Sequence, residues 1–114
     1  MIYRRLTPSG PWPPWVRQLQ GRSGVYVVRS RSGAYWYVGE SHTGNLYGTL
    51  TRHFQHWSGE TRGAPFDRDE VQVGVVVLAA SKAKDAQNRL IQRHHPRDNE
   101  QGQEGQSGGS WWTR

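Results

Sequence analysis

Apolar and polar positions along the chain alternate in blocks that change period three times. Val25–Arg29 and Ala34–Val38 are short runs rich in valine and aromatic residues, separated by Ser30-Arg31-Ser32-Gly33. Such runs, bounded by Ser and Gly, predict two antiparallel strands joined by a tight connection. With the turn centred on Arg31-Ser32, position 26 is expected to face 37, and 28 to face 35. Tyr26 and Tyr37 would then lie side by side on one face of the hairpin.

The period changes to that of a helix between Leu46 and Trp57. Leu46, Leu50, Phe54 and Trp57 fall within about 80° on a helical wheel and form a stripe to be buried. Arg52 and His56, four apart, share a neighbouring face, and His53 borders the stripe. After a polar stretch, Val71–Leu78 is β-branched and almost wholly apolar, which predicts a central strand. Ser81 is placed to cap a second helix reaching His94 or His95 and stopped by Pro96. Ala83, Ala86, Leu90 and Ile91 supply its core face, and Gln87 lies on the same side. The expected fold is α+β: a three-stranded antiparallel sheet flanked by helices, in the order strand-strand-helix-strand-helix.

Pro11-Trp12-Pro13-Pro14-Trp15 makes residues 1–20 an extended, proline- and tryptophan-rich segment. Its indoles either cover an edge of the core or offer stacking surfaces for bases. Residues 21–99 form the domain. Residues 100–114, rich in Gln, Gly, Glu and Ser before Trp111-Trp112, read as a flexible tail whose tryptophans could dock back.

Composition narrows the chemistry. The 114 residues suffice for one core, and the absence of cysteine excludes disulfides, thiolate metal sites and thiol catalysis. No apolar run approaches the ~20 residues of a membrane span, so a soluble, cytoplasmic protein without a membrane partner is expected. Fifteen Lys and Arg against nine Asp and Glu give a net charge of +6. Thirteen of the fifteen are arginine, whose planar fork suits phosphate. This balance points to a polyanion, nucleic acid above all.

The ordered set Gly24-Val25-Tyr26, Tyr37-Val38-Gly39, Arg52 with His56, Gln87 before Leu90-Ile91, and Pro96 before Asn99 resembles the GIY-YIG nuclease family over roughly residues 23–99. The resemblance implies hydrolysis of DNA phosphodiesters with one divalent metal, Mg²⁺ or Mn²⁺, in a bacterial or phage-encoded protein, monomeric or homodimeric. It implies Tyr26 as general base, Tyr37 as its assistant, and Arg52 as the charge that neutralises the phosphate. His56 would hydrogen-bond the phosphate or a water, with His53 competing for that role, and Asn99 would support the site along with Gly39. The family's metal ligand is a glutamate, and here position 87 is Gln. An amide is nearly isosteric but brings no charge, so metal affinity should fall, through a substitution introduced to trap an inactive complex or through natural impairment. Asp85 or Glu40 would be the substitute carboxylate. Glu40 is itself unusual beside a phosphate path and calls for a partner such as Arg52 or His42. Arg22, Arg29, Arg31 and the loop 58–70 are the expected DNA contacts. A DNA-binding module that keeps the fold without cleavage is the alternative.

Overall fold

The structure, a computed structural model, describes residues 1–54 and 66–99. Strand β1 is Tyr3–Arg5 and a one-turn helix α1 is Pro14–Arg17. The hairpin follows as β2, Gly24–Ser30, and β3, Tyr35–Ser41. Then come α2, Leu46–Arg52, β4, Val71–Val77, and α3, Ala80–His94. The fold is α+β, as expected, but the sheet has four strands rather than three, antiparallel throughout in the order β1-β4-β2-β3. The added strand comes from the N-terminal segment. Proline punctuates that segment without preventing pairing: Tyr3–Arg5 precede the prolines, and Pro14 occupies a first-turn helix position, where a missing N–H costs nothing.

The sheet separates two apolar layers. On one face Tyr26, Val28, Tyr37, Val71 and Val73 pack with Leu46, Leu50 and Phe54 and with Leu6, Val16 and Leu19 of the N-terminal segment. Trp12 and Trp15 cover this layer. On the other face Val27 and Val38 meet Ile91 and Leu90 of α3.

The hairpin register departs from the expected one. Tyr26 lies opposite Gly39 and Val28 opposite Tyr37, with a bulge that skips Trp36 before Arg29 meets Tyr35. Two local features cause the shift. Gly33, at φ 103°, permits a three-residue connection closed by Ser30 N–H donating to the Ala34 carbonyl at 2.8 Å. The bulge then adds one residue to β3. Two one-residue slips preserve parity, so Tyr26 and Tyr37 still share a face, as diagonal neighbours. The bulge also turns Trp36 toward the same layer as Tyr37.

Two helix boundaries also differ. Helix α2 ends at Arg52, with His53 as its C-cap, so the expected extension to Trp57 is not made; His56 and Trp57 lie outside the described residues. Helix α3 is entered from Ala79 rather than capped by Ser81, which lies inside its first turn without a cap bond. It closes at His94, with His95 left-handed at φ 47° and Pro96 buried behind it. The tail from Glu100 onward lies outside the described residues.

Candidate functional site

Tyr26 rises from the centre of β2 and is completely buried. Its hydroxyl shares a hydrogen bond with His53 Nε2 at 2.8 Å and lies 3.4 Å from the Thr49 carbonyl. Gly39 makes that position possible: any Cβ there would run into the Tyr26 ring. The Tyr-Val-Gly of β3 therefore places a phenol, then a bare backbone on which the other phenol rests. Tyr37 approaches from the diagonal, its ring 6.1 Å from Tyr26 and 4.7 Å from His53. Each phenol also bears on the protonation of the other.

Electrostatics follow from burial. Burial, then Tyr37 and Glu40, push Tyr26 well above the usual phenol range, with Arg52 opposing. Tyr37 is likewise raised, by burial and then Glu40. His53 is held down to about 4 by burial and by the adjacent charge of Arg52, against the pull of Asp98. At neutral pH the cluster is two neutral phenols and a neutral imidazole, with one exposed guanidinium, Arg52, at its rim.

Gln87 and Asn99 meet elsewhere, at the main chain of Val38. Asn99, buried, accepts from Val38 N–H at 2.6 Å and donates to the Val38 carbonyl at 3.0 Å. Gln87 Nε2 donates to the same carbonyl at 3.2 Å. Arg97 and Asp98 continue the pattern, their N–H groups bonding to the carbonyls of Tyr35 and Trp36. The segment after α3 thus covers the otherwise open edge of β3.

The structure brings Tyr26, Tyr37 and His53 into contact, with Arg52 acting on Tyr26 and His53 through its charge, and ties Gln87 and Asn99 to the main chain of Val38, the residue after Tyr37. Glu40 pairs with His42 at 3.1 Å, the partner expected for it among the two considered. Asp85 is spent on an exposed ion pair with Arg89. The three arginines named as DNA contacts do not form one patch. Arg22 precedes β2, whereas Arg29 and Arg31 lie at its far end, roughly 20 Å away along a seven-residue strand. Of loop 58–70, only residues 66–70 are described.

Sequence reasoning missed the aromatic wall around His53. Phe66 stacks on Trp36 with centroids 5.8 Å apart and approaches His53 at 5.7 Å and Phe54 at 6.1 Å. Phe66 is the one aromatic residue in an otherwise polar loop, a signal of anchoring. Arg97 lies 4.6 Å over the Trp36 ring, and its partner Asp98 is the carboxylate that acts on His53, and on Tyr37 after Glu40.

A divalent cation fits this donor set poorly. Hard cations want anionic oxygen, yet position 87 offers a neutral amide already oriented by Val38, and Glu40 and Asp98 are paired with His42 and Arg97. Among the described residues no group of three His, Asp or Glu converges as a ligand set. Among them too, no helix is long and apolar enough to cross a membrane. Comparison with models of known protein families finds no match for this chain, and comparison with curated proteins finds none either.

Proposed function

We propose that the chain is a GIY-YIG-type domain that engages a DNA phosphodiester beside Tyr26, Tyr37 and Arg52, with hydrolysis weakened by Gln at position 87. The observation that carries this reading is the meeting of Tyr26 hydroxyl, Tyr37 and His53 Nε2 under the charge of Arg52, on the sheet face where the motif order expects them. Arg52 would pair with the phosphate oxygens as a charge-assisted fork. That pairing would offset the charge now depressing His53 and make its imidazole a better proton acceptor. Tyr26 is fully buried in the free protein, so DNA binding would have to admit the attacking water; a proton taken up by the Tyr26 oxygen would then be matched by the Tyr26 proton moving to His53 Nε2, so neither phenol need carry lasting charge. His53 is thereby the proton acceptor of Tyr26, a different role from the phosphate or water contact that the resemblance implies for His56.

The test is cleavage of single-stranded, duplex and branched DNA by the Gln87→Glu protein in Mg²⁺ or Mn²⁺. Activity absent from the parent, present in Gln87→Glu and lost again on adding Tyr26→Phe is expected. No cleavage of any substrate by a folded Gln87→Glu protein would sink the enzymatic reading.

One observation favours a binding module without cleavage. Gln87 donates to a carbonyl that a carboxylate would repel, so the amide suits its place in the fold. In that reading DNA affinity is salt-dependent and Gln87→Glu lowers stability while adding no cleavage.

A further inference from the structure

On the α3 face, away from the tyrosine pair, the register aligns four side chains in one row across all four strands. Arg5 on β1 faces Gln72 on β4, which faces Arg29 on β2, which faces Tyr35 on β3. Residues directly opposite one another share a face, so two arginines project on this side, two strand spacings or about 10 Å apart. Arg29 is fixed in place. Its Nε donates to Gln72 Oε1 at 2.9 Å, and its guanidinium lies 3.6 Å over the Tyr3 ring. This arrangement keeps its two Nη groups, which form the bidentate fork, outside the bond to Gln72. Tyr3 is itself set edge-on to Tyr35 at 6.5 Å, and Tyr35 stacks on His94 at 4.0 Å. Arg5 is exposed, and among the described residues neither Arg5 nor Arg29 forms an ion pair.

A guanidinium held by an aromatic face and a neutral amide, with no carboxylate partner, is a preorganised anion receptor. Its neighbours on the row and at the end of α3 are cationic or neutral, and the chain's surplus charge is almost all arginine. We propose that this row is a second contact for a nucleic-acid backbone, Arg29 taking one phosphate in its fork and Arg5 a neighbouring one. It shares with the function proposed above only the nucleic-acid partner, and it lies across the sheet from the site proposed there.

The test uses the full chain and a fluorescein-labelled DNA duplex, with affinity measured by anisotropy across a salt series. Arg5→Ala/Arg29→Ala should lower the salt slope by about 2, about one for each phosphate no longer neutralised, and weaken binding roughly tenfold or more at low salt. Arg5→Ala alone, at an exposed position, should lower the slope by about 1 with an unchanged melting temperature. In parallel, the ¹H–¹⁵N signal of Arg29 Nε is followed while inorganic pyrophosphate is added, and a saturable shift is expected. A slope unchanged in both variants, or an Arg29 Nε signal that ignores pyrophosphate, overturns the proposal. So does loss of binding to phosphatidylserine vesicles in the same variants with DNA affinity intact. Because the pyrophosphate shift requires no cleavage, a protein that shows it but never cuts DNA after Gln87→Glu refutes the enzyme reading and leaves this contact standing.

Discussion

Replacing Gly39 by alanine tests the packing on which the tyrosine pair depends. The backbone at Gly39 does not need a left-handed conformation; what it needs is room. A Cβ there would collide with the outer end of the Tyr26 ring and lie 2.7 Å from Cε1, against the 3.5–4.0 Å at which carbon atoms are comfortable. Tyr26 cannot yield toward solvent, because it is fully buried among Tyr37, Leu46 and Leu50. Overpacking of this kind costs about 1–3 kcal/mol. A ring pushed back by about an ångström also loses the His53 bond, worth about 1 kcal/mol. Gly39→Ala should therefore destabilise by roughly 2–4 kcal/mol, measured by urea unfolding, and lower the melting temperature by about 10–25 °C. The decisive control is a double-mutant cycle. In a Tyr26→Leu background the collision is gone, and the same substitution should cost under about 0.5 kcal/mol, giving a coupling of at least ~1.5 kcal/mol. Additive effects, or a Gly39→Ala protein as stable as its parent, would refute the argument.

Two further outcomes follow from the site's hydrogen bonds and charges. Asn99→Ala removes an acceptor from the Val38 N–H and a donor from its carbonyl, so about 2–3 kcal/mol should be lost; amide exchange at Val38 should accelerate, and an unchanged rate would count against Asn99 as the cover of this edge. His53, held to about 4 in the fold against 6.5 ordinarily, is neutral when folded and charged when unfolded between those values. Its contribution is fully present above pH 6.5 and is lost as pH falls toward 4, on the order of 2–3 kcal/mol. Unfolding free energies compared at pH 7 and 4.5 should show that fall in the parent and a smaller one in His53→Gln, and equal falls would remove His53 as the cause.

What could be read from the sequence, and what could not, divides by the range of the interaction. The hairpin, the inner strand Val71–Val77 and helix α3 follow from local period and composition, and all three are present. The strand at Tyr3–Arg5 escapes such reading because three residues carry no period; it exists through pairing with β4, whose Gln72–Gly74 lie far along the chain. The register escapes it because it turns on Gly33 and a bulge at Trp36, and a bulge has no compositional signature. Tyr26 and Tyr37 nonetheless stay together, since parity alone decides the face and two slips cancel. Asn99 is marked out by its place after Pro96, yet its function as a surrogate strand for Val38 depends on an edge that no sequence period reveals.

That edge changes how position 87 should be understood. Under the proposed function, a metal-ligating side chain at 87 would turn its oxygen away from the main chain. Gln87 turns a donor to the Val38 carbonyl, which also takes a bond from Asn99. Both lone pairs of that carbonyl are then used, and α3, the covering segment and β3 are tied at one atom. A carboxylate at 87 would lose this bond and face the carbonyl's negative end, so a cation would be needed to hold it there. Under the proposed function, stability and metal affinity would thus be opposed at one residue. The Gln87→Glu protein should melt lower than its parent without divalent metal, and recover stability as Mg²⁺ or Mn²⁺ is added, by an amount that grows with the logarithm of metal concentration once the site is saturated. If Gln87→Glu melts as the parent does and ignores both metals, position 87 has no such choice to make, and the side chain is only a tie between α3 and the sheet.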